Sequence, residues 1–274
     1  MQVISSEISK NLAAKVASVL GAEPVGVEKR VFPDGEIYVR ALSPLKDRVI
    51  VIGNTHPNES LIELLMLQDL ASESADVTTV IPYYGYARQD RRFREGECVA
   101  AKTMANLLEL KSERIITVNL HKDYIREYFR TKVENLIPSR EIAETCRDVD
   151  IVVSPDAGSF YLAEDVAEEL GAEAAHFDKE RISATEVNSA FDMDVRGKRI
   201  LVVDDIISTG TTIEKTCNIL KDRGAKVIEV ACVHGLFLKS LCVRAHASDT
   251  IESRCSDYTV SGLIARALLE LKDP

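Results

Sequence analysis

The densest chemistry in the chain lies between residues 202 and 212, which read Val-Val-Asp-Asp-Ile-Ile-Ser-Thr-Gly-Thr-Thr. An apolar strand ends there in two adjacent carboxylates, Asp204 and Asp205. A turn made of Ser208, Thr209, Gly210, Thr211 and Thr212 then opens onto a helix. The free amides of such a turn, the positive end of the helix dipole and the hydroxyls together make a phosphate site. Two carboxylates cannot serve the phosphate itself. They suit sugar hydroxyls, from which they accept hydrogen bonds, or a hydrated metal ion. The plainer alternative is a capped helix, since Ser and Thr are good N-caps. Capping needs one such residue, and this turn has four.

Other candidates are scattered more widely. Arg88, Arg91, Arg92 and Arg94 concentrate positive charge after the segment Pro82-Tyr83-Tyr84-Gly85-Tyr86. Guanidinium groups hold a polyphosphate well because they are planar and always charged. A solvated loop accounts equally for the last three, but less well for Arg88, which follows an aromatic turn after a buried strand. Tyr83, Tyr84 and Tyr86 read as packing. Phe32, in a Phe-Pro-Asp-Gly turn, is poorly placed for a core, and a nucleobase would suit its ring. His121 closes the apolar run Ile-Thr-Val-Asn-Leu and is a candidate metal ligand with Asp156, while His56, His176, His234 and His246 read as structural. Lys179 and Arg181 share a face if their segment is extended. The weakly periodic stretch after them suits an arm that closes over substrates, although local sequence alone favours ordinary surface charge.

These residues need a scaffold, and the chain supplies one. Short β-branched runs (Val49–Ile52, Val77–Ile81, Ile115–Val118, Ile151–Val153, Ile200–Val203, Val227–Val233) alternate with helical stretches near Ser60–Ala71, Phe160–Leu170 and Thr212–Arg223. Continuous apolar strands between helices predict a parallel sheet covered on both faces, hence an α/β fold. The segment from Arg48 resembles that from Arg199, each running basic residue, strand, polar turn, helix, strand. The reading is two similar domains, 1–142 and 143–274, each a parallel-rich sheet flanked by helices; two unrelated βαβ units are the alternative.

Composition excludes several classes. With 34 Lys and Arg against 44 Asp and Glu, the formal charge is −10, which argues against a broad nucleic-acid surface. No apolar run approaches the roughly 18 residues of a membrane span. The opening residues lack a basic segment leading into an apolar stretch, so no signal peptide is expected. Six cysteines without a CxxC pair show no zinc-site spacing and fit a reducing cytoplasmic compartment. Neither GxxxxGK[ST] nor GxGxxG occurs, so any nucleotide is bound without those loops.

The stretch Asp204–Thr212 resembles the phosphoribosyl pyrophosphate (PRPP) loop shared by phosphoribosyltransferases and ribose-phosphate pyrophosphokinases. Further segments are similar to the pyrophosphokinases specifically: Arg30–Glu36 to their adenine loop, Pro82–Asp90 to their PYARQD segment, Asn119-Leu120-His121 to their metal-site DLH, Ser154–Gly158 to their SPDAG pyrophosphate loop, and Lys179-Glu180-Arg181 to their KER arm. The resemblance implies two type I phosphoribosyltransferase-like domains. It implies transfer of the diphosphoryl group of Mg-ATP to ribose 5-phosphate, feeding nucleotide biosynthesis, with Mg2+ as the required ion and no nucleic-acid or membrane partner. By the same resemblance Phe32, Asp34, Gly35, Glu36, Arg88, Gln89, Asp90 and His121 bind ATP, and His121 and Asp156 serve the metal. Asp156, Ala157, Gly158 and Ser159 form the pyrophosphate loop. Arg181, Asp204, Asp205 and Ser208–Thr212 bind ribose 5-phosphate, and Lys179 and Arg181 are catalytic. A homodimer or larger homo-oligomer is implied, with the Phe32 loop reaching a neighbouring subunit.

Three departures stand out: Asn119 where the family commonly has Asp, Ser159 where it has a second Gly, and Ser208 where many members have Asp. They bear on the number of bound magnesium ions and on regulation. A phosphoribosyltransferase, or a non-catalytic relative of the kinase, remains the alternative; retention of Lys179, Arg181, His121 and Asp156 argues against the latter.

Overall fold

The structure is a computed structural model that describes residues 1–181, 187–191 and 193–270, with the backbone alone for 179–181 and 187–190. It divides into two compact units, Met1–Leu136 with the segment from Val260 onward, and Ile137–Thr259.

The first unit runs β1 (Gln2–Ser5), α1 (Lys10–Leu20), β2 (Glu23–Pro24), β3 (Val27–Val31), β4 (Ile37–Ala41), β5 (Asp47–Ile52), α2 (Asn58–Ser72), β6 (Ala75–Ile81), α3 (Ala100–Leu108), β7 (Arg114–Val118) and β8 (Lys132–Leu136). Its sheet has the order β2-β1-β5-β6-β7-β8, every neighbour parallel, while β3 and β4 form a separate antiparallel hairpin. Val49 and Val51 of β5, Val77 and Ile81 of β6 and Ile115 of β7 meet Leu64 and Leu67 of α2 in its core. Each such side chain contributes about 1.5–3 kcal/mol by leaving water.

The second unit runs α4 (Ser139–Thr145), β9 (Ile151–Ser154), α5 (Phe160–Leu170), β10 (Glu173–His176), β11 (Asp178–Arg181), β12 (Val187–Ala190), β13 (Arg199–Ile207), α6 (Thr211–Asp222), β14 (Val227–Gly235), β15 (Ala245–Ser248) and β16 (Ser256–Tyr258). Its sheet order is β10-β9-β13-β14-β15-β16, again all parallel, with β11 and β12 as an antiparallel hairpin. Ile213, Cys217 and Leu220 of α6 pack on Val202 and Val230 of the central strands.

The two units are therefore one topology used twice. In each, the second strand of the sheet lies at an edge, the first beside it and the other four follow in order, with a hairpin inserted before the third. The related segments from Arg48 and Arg199 both form the third strand, the helix after it and the fourth strand. A closer match lies in α1 and α5. Leu12, Ala13, Val16 and Ala17 are buried in one, and Leu162, Ala163, Val166 and Ala167 at the same positions in the other. Both helices end on a left-handed glycine, Gly21 at φ 59° and Gly171 at φ 64°, a conformation that only glycine adopts without strain.

The last helix, α7 (Ser261–Glu270), packs on α1, with Ile264 and Leu268 buried. A division at residue 142 places this helix in the second half; its contacts place it in the first unit, because α1 offers it an apolar face. No helix among the described residues is long and apolar enough to cross a membrane.

Candidate active site

In the second unit the candidate residues gather at the carboxyl ends of β9 and β13, neighbours at the centre of the sheet, where open parallel sheets bind ligands. Strand β13 runs further than the apolar run 200–203 predicts. It stays paired with β14 as far as Ile207, opposite Gly235, so Asp204 and Asp205 lie within the strand rather than after it. Asp205 is buried, and its carboxylate accepts a 2.8 Å hydrogen bond from the Ile206 amide. Asp204 is half-buried and accepts a 3.0 Å bond from the Asp205 amide. Its carboxyl is held well above the usual carboxylate range, first by loss of water and then by the Asp205 charge, with Asp156 adding to it; the Ser159 hydroxyl acts in the opposite direction.

The turn that follows does not cap its helix. Gly210 precedes α6 at φ 78° and ψ −2°, and no side-chain cap hydrogen bond is made there among the described residues. Thr209 and Thr211 are exposed and share a 3.2 Å hydroxyl contact. The hydroxyls that would explain this turn as an ordinary N-cap are thus not used as one, and the first amides of α6 remain available to an anion. The backbone is held from behind, where the Leu238 amide donates to the Ser208 carbonyl at 2.9 Å.

The loop after β9 folds on itself. The Asp156 carboxylate accepts from the Gly158 amide at 2.8 Å, and the Ser154 hydroxyl donates to the Asp156 carbonyl at 2.7 Å. Ala157 and Gly158 are exposed, whereas Ser159 is buried at the start of α5 without capping it. The structure thus brings Asp156, Ser159, Asp204 and Asp205 together. Lys179 and Arg181 occupy alternate positions of β11, opposite Ser189 and Val187 of β12; their side chains lie outside the described residues. The expected irregular arm contains this hairpin, and 182–186 and 192 lie outside the described residues.

In the first unit, Phe32, Asp34, Gly35 and Glu36 form the tip of the β3–β4 hairpin and are all exposed. The tip is closed by the Phe32 amide donating to Glu36 at 2.8 Å and the Gly35 amide to Phe32 at 2.9 Å. Phe32 is 48% exposed and touches only the edge of Tyr38 among the described rings. Topologically, this hairpin is the counterpart of the one that carries Lys179 and Arg181.

Beyond β6, Tyr83 and Tyr84 are buried as expected, and the Tyr84 hydroxyl donates to the Ala101 carbonyl at 2.8 Å. Tyr86 differs: it is 41% exposed, at φ 66°, with its hydroxyl on Asn58. Arg88 is exposed and Gln89 half-buried. Asp90 is buried and bound by the Tyr124 hydroxyl, whose own pKa is pushed up to about 12, first by burial and then by this bond. Arg91, Arg92 and Arg94 are exposed, as a solvated loop requires. His121 is half-buried just beyond β7, after Asn119, which is buried at a positive φ of 46°.

Comparison with known proteins bears directly on this arrangement. The profile of the N-terminal domain of ribose phosphate pyrophosphokinase matches residues 1–111, and that of the phosphoribosyl transferase domain matches 131–266. The ribose-phosphate pyrophosphokinase of Methanothermobacter thermautotrophicus is 41% identical, over 96% of this chain and 98% of its own length. The chain belongs to the ribose-phosphate pyrophosphokinase family. The family's Thermoplasma acidophilum member is 38% identical over 95% of this chain and 96% of its own. The fold agrees: the crystal structure of phosphoribosylpyrophosphate synthetase from Mycobacterium smegmatis superposes with a TM-score of 0.86 at 29% identity, covering 98% of this chain and 99% of that one.

Within a pyrophosphokinase the departures acquire locations. The Ser159 hydroxyl acts on Asp204, so the serine that replaces glycine adds a hydroxyl beside a carboxyl whose pKa is raised. Sequence reading does not identify Tyr124, which fixes Asp90 from the far end of the unit; no local signal ties two residues so distant in the chain.

Proposed function

We propose that this chain transfers the diphosphoryl group of ATP to the anomeric hydroxyl of ribose 5-phosphate, releasing AMP and giving 5-phosphoribosyl 1-pyrophosphate. The observation that carries the reading is the uncapped Ser208–Thr212 turn directly after the Asp204–Asp205 pair, in a chain of this family. The amides and hydroxyls of the turn take the 5-phosphate, and Asp204 and Asp205 take the ribose hydroxyls. Phe32 stacks on the base, with Asp34, Gly35 and Glu36 shaping the tip, and Arg88 and Gln89 engage the triphosphate. Asp90, whose carboxylate is held by the Tyr124 hydroxyl, belongs with them as an ATP-binding residue by resemblance to the family.

In the reaction the O1–Pβ bond forms, the α–β anhydride bond breaks, and the hydroxyl proton is released. Such transfers rest on alignment and charge stabilisation. Lys179 and Arg181 supply the positive charge for the transferring oxygens, and Asp156 to Ser159 line the diphosphoryl path. Mg2+ suits the donors present, because Asp156, Asp204 and Asp205 offer hard oxygens and a divalent cation would relieve the mutual repulsion at Asp204. Asp156 would hold it on the second unit, and when bound it neutralises the polyphosphate; His121, on the first unit, is a metal ligand by resemblance to the family alone. Six unpaired cysteines suit a reducing cytoplasm, and a homo-oligomer, at least a dimer, is the working form by resemblance to the family.

The test is AMP release from purified protein given ATP, Mg2+ and ribose 5-phosphate. Strict dependence on ribose 5-phosphate is expected only of the kinase. Lys179→Ala should lower turnover by orders of magnitude and leave ATP affinity largely intact; a near-wild-type rate would remove Lys179 from the mechanism.

A further inference from the structure

A second cluster lies toward the amino ends of β14, β15 and β16 and takes no part in the proposed reaction. His246, at the start of β15, is 1% exposed. Its Nδ1 is 2.6 Å from Asp257 Oδ2 on β16. Its Nε2 makes no hydrogen bond among the described residues and stands 3.4 Å from Glu229 Oε2 on β14. Cys146, also buried, follows the last turn of α4. The donor atoms of Cys146, Glu229 and His246 all lie within 4.8 Å of one another.

We propose that Cys146, Glu229 and His246 bind a divalent transition-metal ion of the zinc class. Thiolate, imidazole and carboxylate are the ligands zinc takes, and at its usual bond lengths neighbouring donors sit about 3.5 Å apart, a modest contraction from the present spacing. Asp257 on the far nitrogen supplies the carboxylate–histidine support typical of metal-bound imidazole, and turns Nε2 toward the other two donors. Thiolate and carboxylate balance the dication, so the complex is neutral where it is buried. Glu229 is part-exposed and also 3.6 Å from Arg244, and three protein ligands would leave a fourth position to water. Zinc takes the cysteine as a thiolate, so binding releases the thiol proton. No sequence motif marks this site, because its ligands come from three separated elements.

The test uses the full-length chain, stripped of metal with a chelator, in a Cys98→Ser/Cys242→Ser background that removes the two exposed thiols. Cobalt(II) is titrated and then displaced with zinc. One thiolate-bound ion per chain is expected, read from a thiolate-to-cobalt charge-transfer band that disappears in Cys146→Ser. Asp257→Asn, which touches only the far nitrogen, should weaken zinc by about 10–100-fold. If Cys146→Ser does not fold, Glu229→Gln carries the same expectation of lost affinity from a part-exposed position. Failure of the background protein to take up either ion, or uptake unchanged in Cys146→Ser or Glu229→Gln, overturns the proposal. These readouts are independent of AMP release and hence of the proposed reaction.

Discussion

Replacing Gly210 by alanine puts the phosphate turn under a defined load. The residue sits at φ 78° and ψ −2°, where a side chain costs roughly 1–2 kcal/mol. The new Cβ would also fall 2.3 Å from Cδ2 of Leu241, so that side chain must swing aside. Forcing it off its rotamer adds about 0.5–1.5 kcal/mol. If the turn holds its shape, the total of about 1.5–3.5 kcal/mol lowers Tm by about 3–14 °C, at about 2–4 °C per kcal/mol for a chain of this size. If the turn relaxes instead, the amides of Ser208–Thr212 rotate away from the phosphate, and KM for ribose 5-phosphate rises while KM for ATP does not. Thermal unfolding and steady-state kinetics on the same preparation read both outcomes. In a Leu241→Ala background, which removes the clash, adding Gly210→Ala should cost only the conformational share of roughly 1–2 kcal/mol. Wild-type Tm together with wild-type KM for ribose 5-phosphate would refute the reasoning.

Other substitutions probe separate parts. The Asp204 pKa is raised in the fold, so the folded chain keeps a proton that the unfolded chain loses from about pH 4 upward. Stability is therefore lost as pH rises toward the folded value; Asp204→Asn should be more stable than wild type at neutral pH, nearly equal to it at about pH 4, and inactive, as Tm against pH and an AMP assay would show. Phe32→Ala, at an exposed tip, should leave Tm nearly unchanged and raise KM for ATP about 5–150-fold, the worth of one base–aromatic stack of roughly 1–3 kcal/mol. Ile264→Ala empties a buried position on α7 within the first unit and should cost about 2–5 kcal/mol in denaturant unfolding, without changing either KM.

What the sequence discloses depends on whether a residue's structure is decided locally. The apolar runs of β5, β6, β9 and β13 are legible because strands buried on both faces have no polar alternation to blur them. Helix α5 is legible from its apolar spacing and Gly171. The match between α1 and α5 is equally present as a shared Leu-Ala/Val-Ala pattern, and escapes a reading directed at the turns. Strands β15 and β16 are four and three residues long and carry His246, Ser248, Ser256 and Asp257. Nothing in so short and polar a run announces a strand; their place beside β14 creates them. The PRPP-like turn is readable because its residues are contiguous. The commitment of Asp90 to Tyr124, the approach of Ser159 to Asp204 and the cluster around His246 join residues distant in the chain, which only the folded topology specifies.

The return of α7 to α1 has a consequence for how the chain is completed during synthesis. The first unit is built from residues 1–136 and from Val260 onward, and the whole of the second unit is translated in between. At ribosomal rates the first unit waits about 6–25 s for its final helix while residues 137–259 are added. Throughout that interval α1 lacks its partner and leaves apolar surface open to chaperones or to other nascent chains. The second unit, whose elements are all in hand by Thr259, can therefore be finished before the first.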